Sequence, residues 1–198
     1  MQYSNGMAFP AHNIHYDYAE YLALESSSNV KHEYLGGQIY AMAGGTPEHP
    51  ALAAVVIGLL FSQLRGGRCR TLDSDLRVRV GATGLATYPD VTVVCGPWER
   101  DREDPHAITN PTLIAEILSK STEEYDRGDK FEHYKHLASM KQYVLVSPRE
   151  RTIEVWTRAT DDTWSCDIAR DGLSAGLESV ECSLDVSELF DAAVEPTG

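Results

Sequence analysis

The chain has 198 residues, 42% of them hydrophobic and 24% charged, which is the composition of an ordinary globular protein with one well-filled core. Its net charge of −13 argues against a generic polyanion binder. The longest apolar run, at 51–61, falls short of the 18 or so residues of a membrane helix, and the N-terminus lacks the basic start and apolar stretch of a signal peptide. No membrane association and a cytoplasmic location are expected.

The charge is uneven. Residues 150–198 hold twelve Asp or Glu against three Arg, and form an acidic C-terminal part. Residues 63–79 carry Arg65, Arg68, Arg70, Arg77 and Arg79 against Asp73 and Asp75, so a locally basic face is possible. The cysteines Cys69, Cys95, Cys166 and Cys182 form no CxxC clip. Structural zinc is therefore not expected, and four free thiols are expected in a reducing compartment.

Residues 1–14 read as loosely ordered. Residues 15–25 have helical spacing, with Tyr18, Tyr21 and Leu22 on one side. Residues 30–43 alternate on both sides of Gly36-Gly37, which predicts a β-hairpin. Residues 50–64 predict a buried helix, opened by Pro50 and closed by Gly66-Gly67. Residues 69–80 alternate as one strand, 81–87 read as a turn, and 88–96 form the next strand. A polar loop over 97–111 leads to an apolar run at 112–119. Residues 121–139 predict one helix, with Ser121 and Glu124 suited to a capping box. A buried strand at 142–147 and a late antiparallel pair precede the acidic end. The order predicts a single α/β domain over 1–198, a mixed sheet flanked by helices.

Two carboxylates stand out. Asp90 sits behind Pro89 at the start of a buried strand, and Glu116 interrupts a run suited to a strand buried on both faces. An ionised carboxylate there costs several kcal/mol unless compensated. A divalent cation shared by the two strands would supply that compensation, and Mg²⁺ favours one or two carboxylates plus water and phosphate oxygens. Asp126, Lys130 and Tyr134 recur at four-residue spacing on one helical face, from which Lys130 can place a positive charge beside the site. Glu33 shares a hairpin face with Lys31 and Leu35 and can add a further carboxylate. For His49, just before a helix, capping or packing is the ordinary reading, and a substrate role is the alternative. Asp75 can pair with Arg77 or Arg79 or face the metal. No H-E-x-x-H, G-x-S-x-G or Walker lysine is present.

The ordered set "HEYLGGQIYAMAGGTPEH" (32–49), "SDLRV" (74–78), "YPDVTVV" (88–94), "LIAEILSKSTEEYDRGDKFEHYKHL" (113–137) and "QYVLVSP" (142–148) resembles the Uma-type endonuclease family, a domain of unknown function in the PD-(D/E)xK restriction-endonuclease-like superfamily. The resemblance implies a restriction-endonuclease-like core with an N-terminal β-hairpin. It implies Asp90 and Glu116 as metal-binding carboxylates, with Glu33 as an extra acid. The superfamily lysine, two residues after the glutamate, is here Leu118, and Lys130 from the next helix resembles its migrated replacement.

Three functional readings follow. The first is a Mg²⁺- or Mn²⁺-dependent nuclease acting on phosphodiester bonds of nucleic acid, DNA foremost, as a homodimer. Its catalytic residues would be Asp90, Glu116, Lys130 and Glu33, with Arg68, Arg70, Arg77 and Arg79 on backbone phosphates. The second is an inactive nucleic-acid- or protein-binding assembly module on the same fold, which the acidic charge favours. The third is a metal-dependent hydrolase of a small phosphorylated molecule.

Overall fold

The computed structural model describes residues 15–42 and 45–193, so the reading of 1–14 lies outside the described residues. The chain begins with helix α1 (Tyr18–Ser27). Its capping box is formed by Asp17 and Glu20, each side chain accepting from the other's backbone N–H at 2.8 Å. The predicted hairpin follows as β1 (His32–Leu35) and β2 (Gln38–Ala41), with both turn glycines at positive φ, 56° and 85°. Helix α2 (Glu48–Leu64) buries Leu52, Val56, Leu60 and Leu64, a strict four-residue stripe.

The expected strand over 69–80 is two strands in two sheets. β3 (Cys69–Asp73) and β4 (Arg77–Val80) are separated by a turn, in which Asp73 Oδ1 accepts the Asp75 N–H at 3.0 Å. Alternation continues across that turn, which is why the break is silent in the pattern. The expected turn at 81–87 contains β5 (Leu85–Thr87), fully buried. Next comes β6 (Val91–Cys95). The expected polar loop holds a two-residue strand β7 (Ala107–Ile108), and β8 (Leu113–Ile117) is buried throughout.

The helix expected over 121–139 is also split. α3 (Glu123–Arg127) and α4 (Asp129–Tyr134) meet at Gly128, whose φ of −109° and ψ of −104° are not helical. Its α-hydrogen faces the Glu124 carbonyl, and a Cβ there would lie 3.0 Å from that oxygen. The Ser121–Glu124 capping box is absent. Thr122 is the cap residue, and its N–H donates to Ser119 Oγ at 3.3 Å. β9 (Gln142–Ser147), β10 (Thr152–Arg158) and β11 (Trp164–Ala169) complete the large sheet. A small hairpin, β12 (Ser174–Leu177) and β13 (Cys182–Asp185), leads to helix α5 (Val186–Ala192).

The six-stranded sheet has the order β11-β10-β9-β8-β6-β3, parallel at β8-β9 and antiparallel elsewhere. α2, α5 and the small hairpin cover one face. The other face packs against α4 and residues of a five-stranded sheet of order β2-β1-β5-β4-β7. Phe131 of α4 stacks on Tyr143 of β9 at 4.8 Å between centroids. A third cluster, Tyr18, Tyr21 and Tyr34 with Ala86, fastens α1 to the hairpin.

One cysteine expectation is overturned. Cys69 of β3 lies directly opposite Cys95 of β6, and the two form a disulfide across 26 residues of sequence. The register that brings them together is set by the sheet and cannot be read from their spacing. Cys166 and Cys182 are free. Among the described residues, no helix is long and apolar enough to cross a membrane.

Candidate active site

The sheet register brings the two carboxylates together. β6 pairs antiparallel with β8, with Val91 opposite Ala115, so Asp90 falls opposite Glu116 one step further along. Each grips the backbone of the other's strand. Glu116 Oε2 accepts the Asp90 N–H at 3.2 Å, and Asp90 Oδ2 accepts the Ile117 N–H at 2.8 Å. Pro89, immediately before Asp90, has no N–H to donate to the sheet and a restricted φ.

Lys130 lies at the centre. The break at Gly128 sets α4 so that its buried lysine points at the large sheet. Lys130 Nζ stands 2.9 Å from Glu116 Oε1, 3.3 Å from Glu33 Oε1 and 3.5 Å from Asp126 Oδ1. Tyr134, one turn on, donates its hydroxyl to Glu116 Oε1 at 2.9 Å. Glu33 arrives from the other sheet and also accepts the Thr87 hydroxyl. Tyr143 donates to the Asp126 backbone carbonyl at 2.9 Å.

One ammonium thus faces three carboxylates in a buried space. Burial alone would lower the Lys130 pKa, but the charges on Glu116, Glu33 and Asp126 outweigh it and hold the lysine well above its ordinary value. Burial raises the Glu116 pKa, the lysine opposes that rise, and Asp90 and Asp126 add to it. Lys130 therefore remains a cation, while Glu116 takes up a proton more readily than an exposed glutamate. That excess of negative charge suits a cation. Among the described residues no three His, Cys, Asp or Glu side chains form a ready cage. A pair of carboxylates with one free oxygen nevertheless fits Mg²⁺ or Mn²⁺, which keep several waters. Asp90 Oδ1 has no hydrogen-bond partner among the described residues and faces this requirement.

The structure thus gathers Asp90, Glu116, Lys130 and Glu33, together with Asp126 and Tyr134. It distributes the four arginines otherwise. Arg77 pairs with Asp104 and donates to Tyr88 Oη at 2.9 Å, with its guanidinium 5.4 Å from the Tyr21 ring centroid. Arg79 lies over Tyr18 at 3.8 Å and donates to the Gly84 carbonyl. Both fasten the aromatic cluster. Arg70 donates to the carbonyls of Gly67 and Cys69 at 2.7 and 2.8 Å, and Arg68 is exposed in the preceding turn. Asp73, at the site end of β3, lies opposite Val91, so Arg70 and Arg68 stand about 10–17 Å further along the strand direction. Asp75 pairs with Lys31 at 2.6 Å and with neither arginine.

His49 is brought to the site without a clear sequence signal. Its Nε2 lies 3.3 Å from Asp90 Oδ2. Its place one residue before a proline in a helix's first turn reads equally well as a helix-end residue.

Residues 18–187 match the Uma2 family, described as "Putative restriction endonuclease", and the chain belongs to that family. It is similar to two uncharacterized proteins of Synechocystis sp. (strain ATCC 27184 / PCC 6803 / Kazusa). Identity to slr1290 is 42% over 145 residues, which is 73% of this chain and 75% of that protein. Identity to sll1609 is 30% over 146 residues, 74% and 82% of the two chains. A crystal structure from Anabaena variabilis ATCC 29413, described as "a putative nuclease belonging to DUF820", shares the fold with a TM-score of 0.74. That match has 19% identity and covers 89% of this chain and 98% of the other. The restriction-endonuclease-like core expected from the sequence is the fold observed.

Proposed function

We propose that this protein is a metal-dependent nuclease that hydrolyses phosphodiester bonds in nucleic acid, with DNA as its substrate. The observation that carries the reading is Lys130, buried and 2.9 Å from Glu116, beside an Asp90 that keeps one oxygen free. Family membership supports the nuclease class.

Asp90 and Glu116 would hold Mg²⁺ or Mn²⁺, which when bound lowers the pKa of a coordinated water and neutralises phosphate charge. The chain's own residues supply the rest. The Lys130 ammonium, fixed by three carboxylates, is too firmly protonated to serve as a base. It acts as a positive charge that orients the attacking water and offsets charge gathering on the phosphate oxygens. Glu33 and Asp126 hold that ammonium from two sides, and Tyr134 keeps Glu116 in its rotamer. Water oxygen bonds to phosphorus as it gives a proton to solvent, and the bond to the leaving sugar oxygen breaks as that oxygen takes up a proton from solvent.

A homodimer is the acting form in this reading, because one chain presents few unengaged cations near the site. Sedimentation at micromolar concentration gives the mass directly. The catalytic test is conversion of supercoiled plasmid with Mg²⁺ or Mn²⁺ against a chelator control. Wild type should nick or linearise the plasmid; D90N and E116Q should lose at least about 100-fold of the rate. Wild type that is inert with either metal would leave the assembly module as the better account.

A further inference from the structure

We infer that His49 is a positioning residue of this centre, fixing Asp90 so that its second oxygen faces the cation. The inference rests on the metal-site reading above. Asp90 Oδ2 accepts the Ile117 N–H at 2.8 Å and has His49 Nε2 beside it at 3.3 Å. Asp90 Oδ1 has none among the described residues. One oxygen is tethered and the other is presented, the arrangement that outer hydrogen bonds impose on a ligating carboxylate.

The ordinary readings of His49 do not account for its ring. The cap residue of α2 is Pro47, with no side-chain capping bond, and the imidazole leaves the helix toward the start of β6. The oxygen that the ring faces also accepts the Ile117 N–H, so His49 stands where the two carboxylate-bearing strands meet. Gly45 closes the preceding loop onto the histidine: a Cβ there would stand 3.1 Å from His49 Cβ and 3.3 Å from its Cγ. Gly45 therefore lies close against the base of the His49 side chain. The choice of imidazole also has a reason. It can donate through Nε2 while neutral, whereas Lys or Arg in this place would set a permanent charge against the bound cation.

The test uses the full chain and Mn²⁺ alone as probe. Calorimetric titration of wild type, H49A and H49Q should give a Kd about 10–100-fold weaker in H49A. H49Q should recover most of the loss, because its amide Nε2 can reach the same oxygen. An H49A affinity equal to or tighter than wild type overturns the inference, as does an H49Q no better than H49A. A second measurement needs no metal. In chelator, H49A and D90A should each move Tm by about 2–4 °C, and the double variant should move it no further than the larger single shift. Additive shifts overturn the contact. A wild type that binds no Mn²⁺ sinks the nuclease reading instead, and the thermal cycle then decides the His49–Asp90 relationship by itself.

Discussion

Glu33 and Lys130 stand 3.3 Å apart although they belong to different layers, one on the hairpin of the small sheet and the other on a helix packed against the large sheet. The site is thus a joint between the two sheets, and its charges bear on stability as well as chemistry.

Removing the ammonium should be costly. K130M leaves Glu33, Glu116 and Asp126 facing one another without their cation. Breaking a buried pair in this way costs about 3–5 kcal/mol. Urea unfolding should show a lower midpoint with an unchanged slope. Cleavage measured well below the midpoint should still be lost, since the loss is chemical as well as structural.

The raised Glu116 pKa sets a pH dependence. Its folded pKa lies above the unfolded one, so the folded state holds the proton more tightly. The associated stability is fully present below about 4.5 and is lost as pH rises to about 8. In chelator, wild type should lose stability across that window at up to about 1.4 kcal/mol per pH unit relative to E116Q. Parallel Tm profiles for the two proteins would contradict it. Bound cation should flatten the wild-type profile.

The Cys69–Cys95 bridge closes 26 residues of chain and should stabilise by about 3–4 kcal/mol on a chain-entropy estimate. C69S, or wild type in reductant, should melt at lower temperature. Cleavage at 25 °C should hardly change, because the bridge joins the ends of β3 and β6 away from Asp90.

Gly128 is the hinge of the α3–α4 break. G128A would bring a Cβ to 3.0 Å from the Glu124 carbonyl, a contact the backbone must shift to relieve. The crowding should cost about 1–3 kcal/mol, as overpacking does. It should lower cleavage more than Tm, because α4 carries Lys130 and Tyr134. Equal effects on both would place the break outside the site's support.

Arg77 separates support from substrate contact. It bonds Asp104 and Tyr88 in the aromatic cluster. R77M should destabilise by about 2–4 kcal/mol, leaving Asp104 buried without its cation, yet keep Mn²⁺ affinity and oligonucleotide affinity near wild type. A selective loss of oligonucleotide affinity would restore the phosphate-contact role expected from the sequence.

The residues that the candidate site gathers were legible because their chemistry conflicts with the local pattern. An acid inside "LIAEI" has no place in a doubly buried strand without a partner, and one behind Pro89 at a strand start raises the same question. The four-residue spacing of Asp126, Lys130 and Tyr134 survives the break at Gly128, since the two short helices stay nearly in phase. What was hidden depends on long-range register. The disulfide needs Cys69 opposite Cys95, and the second sheet needs a turn at Ser74 that alternation does not mark. The placing of the arginines was hidden for a related reason: Arg77 and Arg79 face tyrosines of α1, an element whose packing partner no local pattern announces.

The most direct test of the account is calorimetric titration of Mn²⁺ into wild type and D90N, with Tm measured on the same preparations. The account predicts binding by wild type, an affinity at least about 100-fold weaker in D90N, and Tm values within a few degrees of each other. Equal affinities in two equally folded proteins would contradict it and remove Asp90 from the metal site.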